Sequence, residues 1–88
     1  MPLLTFLLEF DGGTYVSQVQ AASLKGAKDK YCLSLATQKF GTGKTRRELA
    51  EKLKDDEPTA LSDIRNVWCL SVSIGRKLAL LNIVSTAD

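Results

Sequence analysis

Two stretches at opposite ends of the chain alternate apolar residues with others, and each pivots about glycine. In the first, Leu4, Phe6, Leu8 and Phe10 recur with period two against Leu3, Thr5, Leu7 and Glu9. That period lines one side of an extended strand. Asp11-Gly12-Gly13 follows, and glycine supplies the positive φ of a tight hairpin turn. Residues 14–21, carrying Thr14, Tyr15, Val16 and Val19, read as the partner strand. A two-residue loop, Asp11-Gly12 or Gly12-Gly13, sets Tyr15 and Val19 beside Phe6 and Phe10, whereas a three-residue loop would turn them away.

In the second stretch Trp68, Leu70, Val72 and Ile74 alternate with Val67, Cys69, Ser71 and Ser73. Gly75-Arg76 suits a type II′ turn, which needs glycine first. That register predicts Trp68 opposite Ile83, Leu70 opposite Leu81 and Val72 opposite Ala79, all on one face. Trp68 is then a core anchor. Residues 85–88, Ser85-Thr86-Ala87-Asp88, are expected to fray.

Between the hairpins the period changes. Ser23 can cap a helix carrying Leu24, Ala27, Tyr31 and Leu35 on one stripe. Gly26 opposes it by roughly 1 kcal/mol relative to alanine, and Tyr31, Leu33 and Leu35 also alternate as in a strand. The lack of strand character from Lys25 to Lys30 and the greater length of the helical stripe decide for helix, with Leu33 opposite the stripe. Phe40-Gly41-Thr42-Gly43-Lys44 reads as a loop. Thr45-Arg46-Arg47-Glu48 has the spacing of a capping box and opens a second helix with Leu49, Ala50 and Leu53, supported by a Glu48–Lys52 pair. Asp55-Asp56-Glu57-Pro58 ends it, before a loop containing Ser62 and Asn66.

These elements predict an α+β fold of order β-β-α-α-β-β: a four-stranded, mostly antiparallel sheet with two helices packed on one face. The 88 residues, 44% hydrophobic and 25% charged, suit a single domain spanning 1–88, without linker, repeat or low-complexity tract. The apolar start lacks a basic leader and a small-residue cleavage site, and Glu9 interrupts it well short of a membrane span. Two cysteines, Cys32 and Cys69, are too few for a secreted disulfide framework. The expectation is a cytoplasmic protein without a membrane segment.

Enzymatic chemistry finds little to work with. The chain has no histidine, so Cys–His and Ser–His pairs are impossible, and metal binding lacks clustered ligands. Cys32 and Cys69 read as small buried hydrophobes. Asp55 and Asp56 suit a solvated helix end. Gly43-Lys44-Thr45 resembles a fragment of a phosphate-binding loop, but that loop needs glycine where Gln38 stands, and a preceding parallel strand. The sequence therefore predicts a non-enzymatic module with no cofactor and no metal.

Two features bear on binding. From Lys25 to Arg47 seven basic residues face Asp29 alone, and from Glu48 to Asp63 six acidic residues face Lys52 and Lys54. Lys39, Lys44, Arg46 and Arg47 flank a glycine loop at a helix N-terminus, where free amides and the helix dipole also favour an anion. They are the candidate contacts for nucleic-acid phosphates, although only Phe40 and Tyr31 interleave as aromatics and the overall pI of about 8.6 falls below the usual footprint. A solvated bipolar surface is the plainer explanation. The second feature is the sheet face opposite the core. It collects Leu3, Leu7, Val16, Val67, Leu78, Leu80 and Val84, among Thr5, Gln18, Gln20, Ser71, Ser73 and Asn82. A solvated face should be mostly polar. Leu3, Leu7, Val16, Leu78 and Leu80 are the expected interface, used for homodimerisation or for another protein, through this face or a sheet edge. A helix crossing to cover the face would remove that expectation.

Overall fold

The computed structural model describes residues 3–35, 37–38, 40–60 and 66–87. Strand β1 (Leu3–Phe10) and strand β2 (Gly13–Gln20) form the first hairpin. Helices α1 (Leu24–Leu35) and α2 (Gly43–Asp55) follow. The short strand β3 (Thr59–Ala60) precedes the second hairpin, β4 (Val67–Ile74) and β5 (Lys77–Ala87). The strands make one antiparallel sheet in the order β2-β1-β5-β4-β3. The fold is α+β in the predicted element order, with the two-residue β3 added at one edge.

Both hairpins take registers that side-chain parity allows, the first by the Asp11-Gly12 turn of the two open to it. Phe10 pairs with Gly13 across Asp11-Gly12, and both loop residues have positive φ, 51° and 82°, as a type I′ turn requires. Tyr15 lies opposite Leu8 and Val19 opposite Leu4. A Cβ at Gly13 would run into the Tyr15 ring, so a larger residue there would have to displace that ring. In the second hairpin Ile74 pairs with Lys77 across Gly75-Arg76, and Trp68, Leu70 and Val72 face Ile83, Leu81 and Ala79. An ion pair of 2.9 Å from Lys77 to Asp11 joins the tips of the two hairpins.

The core lies between one sheet face and the two helices. Leu4, Phe6, Leu8, Phe10, Leu70, Ala79, Leu81 and Ile83 meet Ala27, Tyr31, Cys32, Leu35, Leu49 and Leu53 there, with Trp68 half-buried at the margin. The Tyr31 ring stacks on Phe6 at 4.4 Å, and Phe40 stacks on Tyr15 at 4.3 Å. Ser23 caps α1 by accepting the Gly26 amide at 3.0 Å. Leu33, off the apolar stripe, is 78% exposed.

Three details correct the sequence reading. Helix α2 begins two residues before Thr45: Thr42 is its N-cap and accepts the Thr45 amide at 3.1 Å. Thr45 therefore lies inside the first turn, bonded through its hydroxyl to Thr42 at 3.0 Å, and the Thr45–Glu48 box does not start the helix. Glu48 still reaches Lys52 at 3.9 Å. The C-terminal segment does not fray at Ser85: β5 continues to Ala87, which pairs with Leu3, and the Ser85 amide donates to Asn66 at 2.9 Å. A bulge between Leu3 and Leu4 accommodates this extra length. Finally, Cys69 is half-exposed on the outer sheet face, because odd-numbered residues of β4 point away from the helices. Ser62 lies outside the described residues.

Candidate functional site

Strict alternation along four long strands leaves the second sheet face without a covering layer among the described residues. Both helices pack on the other side, so the crossing that would have sheltered this face does not occur. Val16 is 61% exposed, Leu78 55% and Leu80 39%, while Leu3 and Leu7 are half-buried by their neighbours on the sheet. The registers set these side chains in contiguous rows. Val16 lies opposite Leu7, Leu7 opposite Asn82 and Asn82 opposite Cys69. Glu9 lies opposite Leu80, which lies opposite Ser71. Among the described residues Glu9 is the one charged outward side chain of the four long strands, and Asp56 and Glu57 border the face beside Cys69, Ser71 and Leu80. Apolar groups so placed remain in water unless something covers them, and a contiguous patch of them commonly marks an interface.

The basic segment is dispersed. Lys28 is buried in the α1–α2 junction, where its Nζ donates to the Lys54 carbonyl at 3.0 Å and to the Asp56 carbonyl. It therefore satisfies the open carbonyl end of α2 and complements its dipole. Lys30 donates to the Gln20 carbonyl at 3.0 Å, and Lys25 pairs with Asp29 at 3.5 Å. Lys44 and Arg47 share a helix face with Glu48 and Glu51, so positive and negative groups alternate there. Arg46 points elsewhere around the helix. With the cap at Thr42, Lys44 occupies the first turn and the two arginines the second. Lys39 lies outside the described residues. Phe40 is buried against Tyr15 and Phe10 and presents no stacking surface.

The chain matches no protein-family model, and comparison with curated proteins and with solved structures finds no match either.

The titratable core groups have structural explanations. Burial pushes the Tyr31 hydroxyl up beyond its ordinary range, with a smaller contribution from Cys32. Burial likewise raises the Cys32 thiol, against the opposing influence of Lys28. A raised thiol is a poor nucleophile at neutral pH. Among the described residues no group of three or more potential ligands could hold a metal ion, and no helix is long and apolar enough to cross a membrane. Neither the role of Lys28 nor that of Lys30 was visible in the sequence, since each joins a side chain to a carbonyl far along the chain.

Proposed function

We propose that this protein is a small, non-enzymatic interaction module that self-associates by packing the uncovered face of its sheet against a second copy. The observation that carries it is the exposure of Val16, Leu78 and Leu80 on a face opposite both helices. A second copy suits the surface because Glu9 is the one charged outward side chain of the four long strands and Asp56 and Glu57 lie only at the β3 margin, so two such faces meet with little like-charge repulsion across their strands. The four long strands, with eight residues as the usual length, give a face of roughly 500 Å² from strand spacing and rise. Face-to-face packing then removes roughly 1,000 Å² in total, at the threshold of a specific interface. Two unpaired cysteines suit a reducing cytoplasm.

Phosphate or nucleic-acid binding through Lys39, Lys44, Arg46 and Arg47 has weaker support, since Glu48 and Glu51 adjoin two of these residues and Phe40 is buried. Light scattering tests the preferred reading. Leu80→Lys places an ammonium on an exposed position of this face, opposite Glu9. At high micromolar concentration it should halve the solution mass, and the wild-type mass should persist as salt is raised, unlike a phosphate contact. An unchanged mass in the variant removes the proposal.

A further inference from the structure

The two edges of the sheet are finished differently. At the β4 edge, β3 pairs with Trp68 and Cys69, and Lys52 donates to the Ser73 carbonyl at 2.5 Å. Some of the backbone groups that would otherwise invite another strand are thus occupied. At the other edge β2 runs for eight residues, GTYVSQVQ, with no charge, no proline and no bulge. Edge strands usually carry at least one of those protections.

Which backbone groups of β2 face outward follows from its hairpin. The pair flanking a two-residue turn, Phe10 and Gly13, exchanges both hydrogen bonds, and the direction alternates from there. Gly13, Tyr15, Ser17 and Val19 therefore bond to β1, while Thr14, Val16, Gln18 and Gln20 turn their amides and carbonyls outward. The Lys30 bond to the Gln20 carbonyl fits this alternation and closes the far end of the edge. Thr14, Val16 and Gln18 remain, a segment symmetric about Val16.

We infer that β2 pairs antiparallel with β2 of a second copy about a two-fold axis at Val16. Val16 then faces its own counterpart, and Thr14 of each copy faces Gln18 of the other. These three pairs supply about six intermolecular hydrogen bonds, two for each pair. Registers centred on Ser17 or Gln18 would require the Gln20 carbonyl that Lys30 holds. One centred on Tyr15 would run Gln18 into the turn at Gly12. The Val16 axis also joins the apolar rows of the two copies, Leu7–Val16 meeting Val16–Leu7, and makes one continuous face of twice the area that is uncharged at the seam. This contact is separate from the face packing proposed above: hydrogen bonds along the edge form it, and Leu80 takes no part.

Backbone amide exchange and solution mass test it together. In wild-type protein at high concentration, the amides of Thr14, Val16 and Gln18 should exchange about tenfold or more slowly than in dilute protein, as expected for bonds that open with the interface. Gln18→Pro removes an outward amide at an edge position where proline is tolerated, and it should halve the mass whether or not Leu80→Lys is also present. Unprotected Thr14, Val16 and Gln18 amides at high concentration would overturn the pairing, and this measurement does not depend on how the proline variant folds. Leu80→Lys alone halving the mass, with those amides fast, would leave face packing standing and edge pairing refuted. Gln18→Pro alone halving it, with the amides slow, would do the reverse. A monomeric wild-type protein overturns both.

Discussion

Replacing Lys28 by methionine isolates one interaction with unusual clarity. The methionine keeps the buried aliphatic stem and removes only the ammonium, which holds the Lys54 and Asp56 carbonyls at the end of α2. Hydrogen bonds to a charged donor contribute roughly 1.5–3 kcal/mol each when the acceptors are otherwise left dry. Here Lys54, Asp55 and Asp56 are exposed, so water can reach the carbonyls once the ammonium is gone. Release from burying an ammonium offsets the loss further, while the favourable helix-dipole interaction, worth about 0.3–1 kcal/mol, is lost with it. The net destabilisation should be about 2 kcal/mol, a fall in Tm of roughly 8–16 °C for a domain of this size. Urea unfolding at fixed protein concentration measures it, with an unchanged m-value as the sign that the folded state is otherwise intact. Lys25→Met is the control, because its partner Asp29 is reached across exposed surface at 3.5 Å and should change stability by less than about 0.5 kcal/mol. If Lys28→Met behaves like that control, the carbonyl contacts are incidental and α2 is terminated by Pro58 and solvent alone.

Tyr31 and the cysteines give further tests. The Tyr31 hydroxyl is buried without a hydrogen-bond partner, so Tyr31→Phe should stabilise the protein by about 1 kcal/mol at neutral pH in thermal or urea unfolding. Because burial raises both Tyr31 and Cys32 above their unfolded values, the folded chain holds these protons more tightly than the unfolded one. The resulting stability is complete below about pH 8.5 and declines as pH rises, by about 1.4 kcal/mol per pH unit for each group once its unfolded form ionises. Tyr31→Phe should remove the part of that decline above about pH 10, measurable as a flatter profile of urea midpoint against pH. Alkylation followed by mass spectrometry should modify half-exposed Cys69 before buried Cys32. Cys69 labelling should slow as protein concentration rises, and rates independent of concentration would argue against coverage of that face.

What could be read from the sequence was what neighbouring residues decide among themselves. Period-two alternation with Gly75-Arg76 specified the second hairpin register, and in the first it required a two-residue turn without choosing between Asp11-Gly12 and Gly12-Gly13, because only a slip of one residue would have turned Phe6 or Leu70 into water. The outer face followed from the same parity, so Leu7, Val16, Leu78 and Leu80 were found without coordinates. The start of α2 was misplaced because Thr42 and Thr45 both precede residues a cap can serve, and only the backbone geometry of Thr42, φ −101° and ψ 161°, selects between them. The β4 edge was out of reach for another reason: two residues of β3 carry no periodicity. Lys28, Lys30 and Lys52 looked like parts of a solvated charge pattern, yet each takes a carbonyl on a different element, a choice made by tertiary approach.

The strand order also bears on how the molecule is born. The last strand, β5, lies between β1 and β4 and contacts both extensively. Until residues 77–87 leave the ribosome, the N-terminal ribbon lacks its inner neighbour, and Phe6 and Leu8 lack the cover of Ile83 and Leu81. Closure brings the two ends of the chain together, a topology that favours slow folding. The nascent hairpin meanwhile carries two unpaired borders instead of one, a state prone to premature association. Insertion of the C-terminal strand is therefore the step that turns two separate ribbons into a finished sheet.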